Sequence, residues 1–208
     1  MALRRSLSTT LHWTLALGLI AAATAATRAQ DARAPIALAA SRVSIAGTSN
    51  VHAYSAASTE VRITNVQLAE GCTGWDDVLK AGSLKAFDIA IASTSLKSGD
   101  DGMDKNMYKA LLAPKNPDIT FRVKQLEPRG AAAGAFRATG SLRIAGVERE
   151  IALDLTTEQK DGKLVVKGAL PILMTDYGIA PPKAMLGMLK TDPKVTIAFE
   201  TVLAVPLT

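Results

Sequence analysis

The sequence predicts an all-β protein, an antiparallel barrel or sandwich of about eight short strands with one or two short helices. Three observations predict this fold. Apolar and polar residues alternate along most of the chain after residue 42, turn residues separate the alternating runs, and only two short stretches have helical spacing. Successive side chains of a strand point to opposite faces, so each alternating run has one dry and one wet face.

The first 29 residues are interpreted as a secretory signal peptide. Arg4 and Arg5 precede a mostly apolar run from Leu11 to Ala25, and small residues follow. A basic start, an apolar stretch and a small-residue cleavage site form the pattern of such signals. Cleavage is expected after Ala29, with Ala25 as the alternative. The apolar run of about 15 residues is shorter than the roughly 20 that cross a bilayer, which disfavours a retained anchor.

The charge of the exported chain gives little reason to expect a nucleic-acid partner. Removing three arginines with the signal lowers Lys+Arg from 24 to 21 against 19 Asp+Glu, so the net charge falls from +5 to +2. A basic patch would leave a larger excess. The single cysteine, Cys72, excludes an intrachain disulfide framework and is expected to behave as a small buried hydrophobe.

The predicted strands follow one another with short turns between them. The Asp161-Gly162 pair is a strong signal for a tight hairpin, and Gly146 predicts a second one. The alternating runs, in order, are Val43–Ile45, Ile89–Ile91, Ile119–Val123, Phe136–Ile144, Ile151–Leu155, Leu164–Val166 and Val195–Val205.

Two stretches depart from this alternation: the first predicts a short helix, and the second predicts a short helix or a turn. Met103, Met107 and Leu111 fall at helical spacing within Asp101–Leu112, and prolines follow them. Pro182–Leu189 has prolines at its start and apolar residues after them. With no fixed-period repeat and no low-complexity linker, one domain over residues 35–208 is the economical interpretation.

The composition of the predicted inner face indicates a hollow interior. Ala138, Gly140 and Gly168 are small, and only four phenylalanines are present. An eight-stranded barrel either is just filled by its side chains or holds one small ligand. These residues would fill a barrel poorly, which favours an apolar cavity or tunnel; a tightly packed sandwich without a cavity is the alternative.

Seven segments, taken in order, resemble the YceI-like family of periplasmic, lipocalin-like proteins associated with polyisoprenoid binding. They are GTSNVH at 47–52, TSLKSG at 94–99, MDKNMYKAL at 103–111, PDITF at 117–121, GSLRIAGV at 140–147, TDYGIAPP at 175–182 and VTIAF at 195–199. Each segment is weak alone, but together they span essentially the whole exported chain. The family often carries an aromatic residue soon after the histidine of the first segment, and here that residue is Tyr54.

The resemblance implies an extended lipocalin-like antiparallel β-barrel whose tunnel takes a long apolar chain. An isoprenoid, an isoprenoid quinone or a fatty-acyl chain is the expected partner and the only expected bound group, with no other cofactor and no metal. It also implies a binding or carrier protein in the periplasm rather than an enzyme. Neither nucleic acid nor a stable membrane span is expected, and a homodimer is left open.

On this basis we expect a set of residues to line the tunnel or its mouth. His52 would hydrogen-bond a ligand head group or, alternatively, brace the first hairpin; Met103, Met107, Met185 and Met188 would line the tunnel or simply pack the short helices. The expected set is His52, Tyr54, Ile89, Ile91, Met103, Met107, Phe121, Phe136, Ala138, Gly140, Leu142, Ile144, Leu153, Tyr177, Ile179, Met185, Met188 and Phe199.

Three further hypotheses bear on the polar residues. Asp100, Asp101 and Asp104 lack the pattern of a calcium-binding loop, and Asp104 is expected to cap or brace the helix that follows. A catalytic role for His52 has no serine placed beside it, and no nucleophile elbow or phosphate-binding loop is present. A protein-interaction module with a filled interior is the alternative function.

Overall fold

The computed structural model describes residues 35–184 and 189–205, all of which lie in one compact unit. The signal segment and the methionines Met185 and Met188 lie outside the described residues. The elements are β1 (Ala37–Ser49), β2 (Ala53–Ser58), β3 (Val61–Leu68), α1 (Trp75–Val78), β4 (Leu84–Ala92), α2 (Asp101–Ala110), β5 (Asp118–Pro128), β6 (Ala135–Ile144), β7 (Val147–Lys160), β8 (Lys163–Leu173), β9 (Lys183–Ala184) and β10 (Leu189–Ala204).

The strands form one antiparallel sheet that confirms the predicted all-β, lipocalin-like fold. Its order is β2-β1-β10-β8-β7-β6-β5-β4-β3, with the short β9 paired to β10. Most neighbours in the sheet are therefore neighbours in the chain, as expected for hairpin-connected strands. Only β10 returns from the end of the chain to lie beside β1.

The sheet curls until its two edge strands, β2 and β3, come near each other. Val43 of β1, Val61 of β3 and Ile91 of β4 pack into one buried cluster across this seam. Ala57 of β2 exchanges two backbone hydrogen bonds with Lys97, of 2.9 and 2.8 Å. Among the described strands no continuous ladder joins β2 to β3, so side chains and the Ala57–Lys97 bridge hold the seam.

Helix α2 begins as the sequence predicts but has a different cap. The Asp100 side chain accepts a 2.7 Å hydrogen bond from the Met103 N–H, which places the cap at Asp100 rather than Asp104. Asp104 is buried and braces the preceding loop, where its carboxylate accepts bonds of 2.8 and 2.6 Å from the N–H and hydroxyl of Ser98. These bonds lower the pKa of Asp104.

Of the two alternatives predicted for Pro182–Leu189, a short helix or a turn, the helix is wrong for the described residues. Lys183 and Ala184 form β9 and pair with Lys190 and Leu189 of β10, so the chain there is extended. The apolar residues of this stretch resembled a helix, whereas the pairing across β10 sets its conformation. The second short helix is instead α1, whose four residues are too few to give a periodic signal.

Besides the cluster at the seam, buried residues form two further clusters, one at each end of the sheet. One cluster, around Leu96, Leu111, Leu142, Tyr177 and Ile179, packs near α2; we call this the α2 end. Another, formed by Ile36, Trp75, Val78, Leu164 and Leu203, packs near α1, and the half-buried Cys72 contacts it; we call this the α1 end. Ile36 belongs to the cluster at the α1 end and Ile45 packs against the cluster at the α2 end, so the two clusters are about 30 Å apart along the chain at roughly 3.3 Å per residue.

Candidate ligand-binding cavity

The curled sheet encloses a cavity of about 1050 Å³ between the two ends. Its wall follows the period of two that strands impose on their side chains. Lining residues recur at every second position of β4, β7, β8 and β10, for example Ile151, Leu153, Leu155 and Thr157. Strand β5 contributes Ile119, Phe121 and Val123, and a register shift after Val123 then brings Leu126 to the same face.

The inward side chains show that this space is hollow rather than filled. A fully packed core would bury them, yet Ile89, Phe121, Ile151, Ile197 and Phe199 are only half-buried although they face inward. Their remaining exposed area faces the cavity. The interior therefore offers an almost wholly apolar surface of isoleucine, leucine, valine, phenylalanine and methionine.

The structure brings most of the predicted site residues together at this cavity. Their role as ligand contacts remains a prediction. Those that line it are His52, Tyr54, Ile89, Ile91, Met103, Met107, Phe121, Ala138, Leu142, Ile144, Leu153, Ile179 and Phe199.

Three predicted residues lie elsewhere. Gly140 is on the inner face, but its position is covered: a Cβ built there would overlap the Arg122 carbonyl oxygen and lie 3.1 Å from the Phe121 ring. Tyr177 is 3% exposed and packs within the cluster at the α2 end. Phe136 lines a separate depression at the other end of β6. Met185 and Met188 lie outside the described residues.

Sequence reasoning did not name several lining residues. Val43, Ile45 and Ile197 lie in runs whose alternation was recognised, so the pattern could have supplied them. Trp75, Val78 and Leu79 belong to α1 and the residue after it, where no pattern places them at a cavity. Trp75 reaches it because its indole N–H donates a 3.0 Å hydrogen bond to the Gly162 carbonyl, 87 residues away.

Polar lining residues concentrate at the α2 end, which we call the mouth. His52 and Tyr54 come from the β1–β2 hairpin, Asn106 and Lys109 from α2, and Thr191 from β10. Burial, and secondarily the negative charge of Asp192, raises the pKa of the Tyr54 phenol. This phenol therefore remains a neutral hydrogen-bond donor at physiological pH.

Ser49 shapes the hairpin that carries His52. Its hydroxyl donates to the His52 carbonyl at 2.8 Å and accepts from the N–H groups of Val51 and His52 at 3.2 and 3.1 Å. All of these bonds go to backbone atoms of the turn, so they fix the loop. They do not pair the serine with the imidazole, as nucleophilic catalysis would require.

Glycines let two aromatic rings lie flat against the wall of the cavity. Tyr54 lies across Gly47, its partner in β1, and a Cβ added at Gly47 would overlap the phenol. Phe199 lies across Gly168 of β8 in the same way. Small residues opposite large ones are a common cross-strand arrangement, and here they keep the rings out of the hollow.

Neither a metal centre nor a helical membrane span is found in the part of the chain that the structure describes. No group of three or more His, Cys, Asp or Glu side chains there could hold an ion. No helix among the described residues has the length and apolar character needed to cross a bilayer.

Comparisons with known proteins agree with this architecture. Residues 35–203 match the family of the YceI-like domain. Burkholderia cenocepacia BcnA is 20% identical, with a TM-score of 0.61 over 79% of this chain and 96% of that one. A polyisoprenoid binding domain from Saccharophagus degradans, implicated in plant cell wall breakdown, is 16% identical, with a TM-score of 0.61 over 83% of this chain and 99% of that one.

A third solved structure is more distant. The Campylobacter jejuni YceI protein is 20% identical, with a TM-score of 0.51 over 69% of this chain and 80% of that one. At these identities the likeness shows a shared fold. No curated protein is significantly similar to this chain.

Proposed function

The chain belongs to the YceI-like family, and from this premise we propose that it is a periplasmic binding or carrier protein for a long apolar lipid. The ligand is an isoprenoid, an isoprenoid quinone or a fatty-acyl chain. Its tail lies along the cavity and its polar head stays at the mouth. The polyisoprenoid-binding domain of Saccharophagus degradans, which shares the fold, supports a ligand of this class.

The observation that carries the proposal is the hollow apolar interior. A cavity of about 1050 Å³ lined by half-buried aliphatic and aromatic side chains has no structural use when empty, because those side chains lack packing partners. An alkyl or prenyl chain would supply the missing contacts. The alternative of a protein-interaction module was expected to have a filled interior, so this observation favours lipid binding.

The energetics of transfer suit such a ligand. Each buried methylene is worth roughly 0.8 kcal/mol, so about ten carbons give on the order of 8 kcal/mol before ordering costs. Affinity of this kind comes from the tail and depends little on head-group chemistry. His52, Tyr54 and Asn106 at the mouth would then select the head group through hydrogen bonds.

The polar residues support binding rather than catalysis. The Ser49 hydroxyl is committed to backbone atoms, and the acidic residues near α2 cap the helix or brace its loop. Ser49 is therefore not arranged as a nucleophile with the His52 imidazole as its base.

Native mass spectrometry of the protein purified from the periplasm tests this function. We expect a bound species that solvent extraction releases and identifies as a lipid, and re-uptake of a ubiquinone analogue by the stripped protein. A protein that carries no lipid and takes up no analogue would contradict the proposal. Cell fractionation tests the compartment, since a chain that stays in the cytoplasm with residues 1–29 intact would contradict the periplasmic assignment.

A further inference from the structure

A second depression, of about 660 Å³, lies at the α1 end. Leu79 and Thr157 line both this depression and the main cavity, so they form a shared wall between them. The other residues of the depression are Asp76, Lys80, Ala81, Pro128, Ala133, Gly134, Phe136 and Gln159.

We propose that this depression is a second opening of the tunnel, through which the tail of a long lipid chain leaves the cavity. The proposal rests on the proposed function and adds the class of ligand: linear apolar chains longer than the cavity, including polyprenyl chains of many units. The head stays at the mouth, where most of the polar lining residues lie, and the tail points toward α1, where Thr157 and Thr201 are the polar members of a largely apolar lining.

The finite volume of the cavity limits the length of chain that it can enclose. A volume of about 1050 Å³ is at the upper end of the range for pockets that enclose drug-sized ligands, so a polyprenyl chain of many units exceeds it. A longer chain has to fold back within the tunnel or continue out of it. The second course needs less width, because a folded chain would occupy about twice the cross-section.

One side of the shared wall is formed by Leu79, which follows the short helix α1. Leu79 is only half-buried and follows a helix of four residues. That helix is tied to the sheet by the bond from the Trp75 indole to the Gly162 carbonyl, and by a 2.7 Å bond from the Gln159 amide to Asp76. Leu79 lies outside the strands, so movement of its side chain to admit a lipid tail would cost no strand pairing.

The depression suits the end of a hydrocarbon chain. Pro128, Ala133 and Phe136 offer apolar surface within it. Asp76, Lys80 and Gln159 supply its polar part. These polar groups are already engaged, since Lys80 pairs with Asp77 at 2.8 Å and Gln159 bonds Asp76, so an apolar guest leaves none of them newly unpaired.

Photo-crosslinking of the full chain with polyprenols that carry a diazirine at the tail end tests the opening directly. Short polyprenols, of about four units, should label only residues of the main cavity. Polyprenols of about ten units should label the Pro128–Phe136 segment, identified by peptide mass spectrometry. Labelling confined to the cavity at every length would overturn the second opening and leave the proposed function standing. Failure of every polyprenol to bind would overturn both.

A matched pair of variants tests the depression independently. Ala133 lies in the depression, whereas its neighbour Ala132 is exposed outside it and does not line either space. We expect Ala133→Trp to weaken binding of the ten-unit polyprenol about tenfold, the loss of about two methylene contacts, with four-unit binding unchanged. Ala132→Trp should bind both lengths like the wild type. Equal affinity of the two variants for the long chain would contradict the proposal.

Discussion

The ring of Phe199 lies directly over Gly168, the residue opposite it in the β8–β10 pair. A Cβ built on Gly168 would come within 2.7 Å of the Phe199 Cζ and 3.1 Å of the Leu155 Cδ2. The 2.7 Å contact is shorter than real Cβ atoms make, and the 3.1 Å contact is tight, so the ring has its place because Gly168 has no side chain. The width of the cavity at this point thus depends on a single missing methyl group.

Gly168→Ala should narrow the cavity. The added methyl pushes the Phe199 ring away from the wall and into the hollow, at a cost of about 1–3 kcal/mol if the ring cannot move freely. We expect weaker uptake of long-chain lipid with the fold retained, measured by titration with a polyprenol and by circular dichroism. Ala169→Val, on the exposed outer face of the same strand, is the control. Unchanged uptake by Gly168→Ala would show that the ring does not limit the cavity.

Ile89→Trp should block the cavity from within. Ile89 is half-buried and faces the hollow, so an indole has room there and occupies space that the lipid needs. We expect the affinity for lipid to fall severalfold, a loss of about 1 kcal/mol or more in binding free energy, with little change in Tm. Arg122→Trp, on the outer face of the neighbouring strand, is the control. A blocked variant that still loads fully would place the ligand outside this cavity.

Gly140→Phe is not an equivalent test. The position is small and apolar, but a side chain there overlaps the Arg122 carbonyl, which is backbone and cannot swing away. We expect this variant to lose the β5–β6 pairing and to be found unfolded or insoluble, measured by circular dichroism. A folded Gly140→Phe protein that loads normally would contradict the close approach of these strands.

Trp75→Phe should loosen the α1 end. The substitution keeps an aromatic ring in the cluster but removes the 3.0 Å bond to Gly162, at a cost of about 1 kcal/mol. We expect a lower urea midpoint at unchanged m-value, together with faster exchange of lipid. Trp75→Ala should cost about 3–5 kcal/mol, because it also removes the packing of the ring. Equal stability of Trp75→Phe and the wild type would contradict this prediction, because it would show that the hydrogen bond to Gly162 contributes no net free energy of folding.

Protonation of the Asp104 carboxylate should lower the stability of the protein at acidic pH. Hydrogen bonds from Ser98 hold the pKa of this carboxyl below its ordinary range, so the charged form is favoured in the folded state. The stabilisation that the Asp104 carboxylate contributes is therefore fully present at pH values above its pKa in the unfolded chain. It is lost as the pH falls through its lower pKa in the folded protein. We expect Asp104→Asn to lower Tm at neutral pH and to lose less further stability between about pH 5 and pH 2. Asp101→Asn, an exposed neighbour, is the control; parallel pH profiles for wild type and Asp104→Asn would contradict the role.

Alternation along the chain predicts which strands form and which face points inward, but not what covers that face. It correctly assigns Ile151, Leu153 and Leu155 to one side of β7. It also assigns Gly140 inward, where the backbone of β5 and the Phe121 ring already occupy the space. The local sequence determines the sheet face to which a side chain points, whereas the residues that pack over that side chain come from neighbouring strands.

The missed elements have little local signal. Strand β2 consists of small residues around one tyrosine, AYSAAS, and β3 has a register shift after Ile63 that interrupts its alternation. The four residues of α1 show no period at all. Trp75 is recruited to the cavity by a bond to a hairpin turn far along the chain, and no window of sequence contains both partners.

The concentration of packed side chains at the two ends of the sheet has a consequence for the lifetime of the protein. On the proposed function, a bound lipid would fill the cavity between the two ends, so the loaded form would gain stability over the empty form by mass action. Proteases attack transiently opened chains, and we expect them to degrade empty molecules before loaded ones. The abundance of this protein in a cell would then rise and fall with the supply of its lipid, without any change in its synthesis.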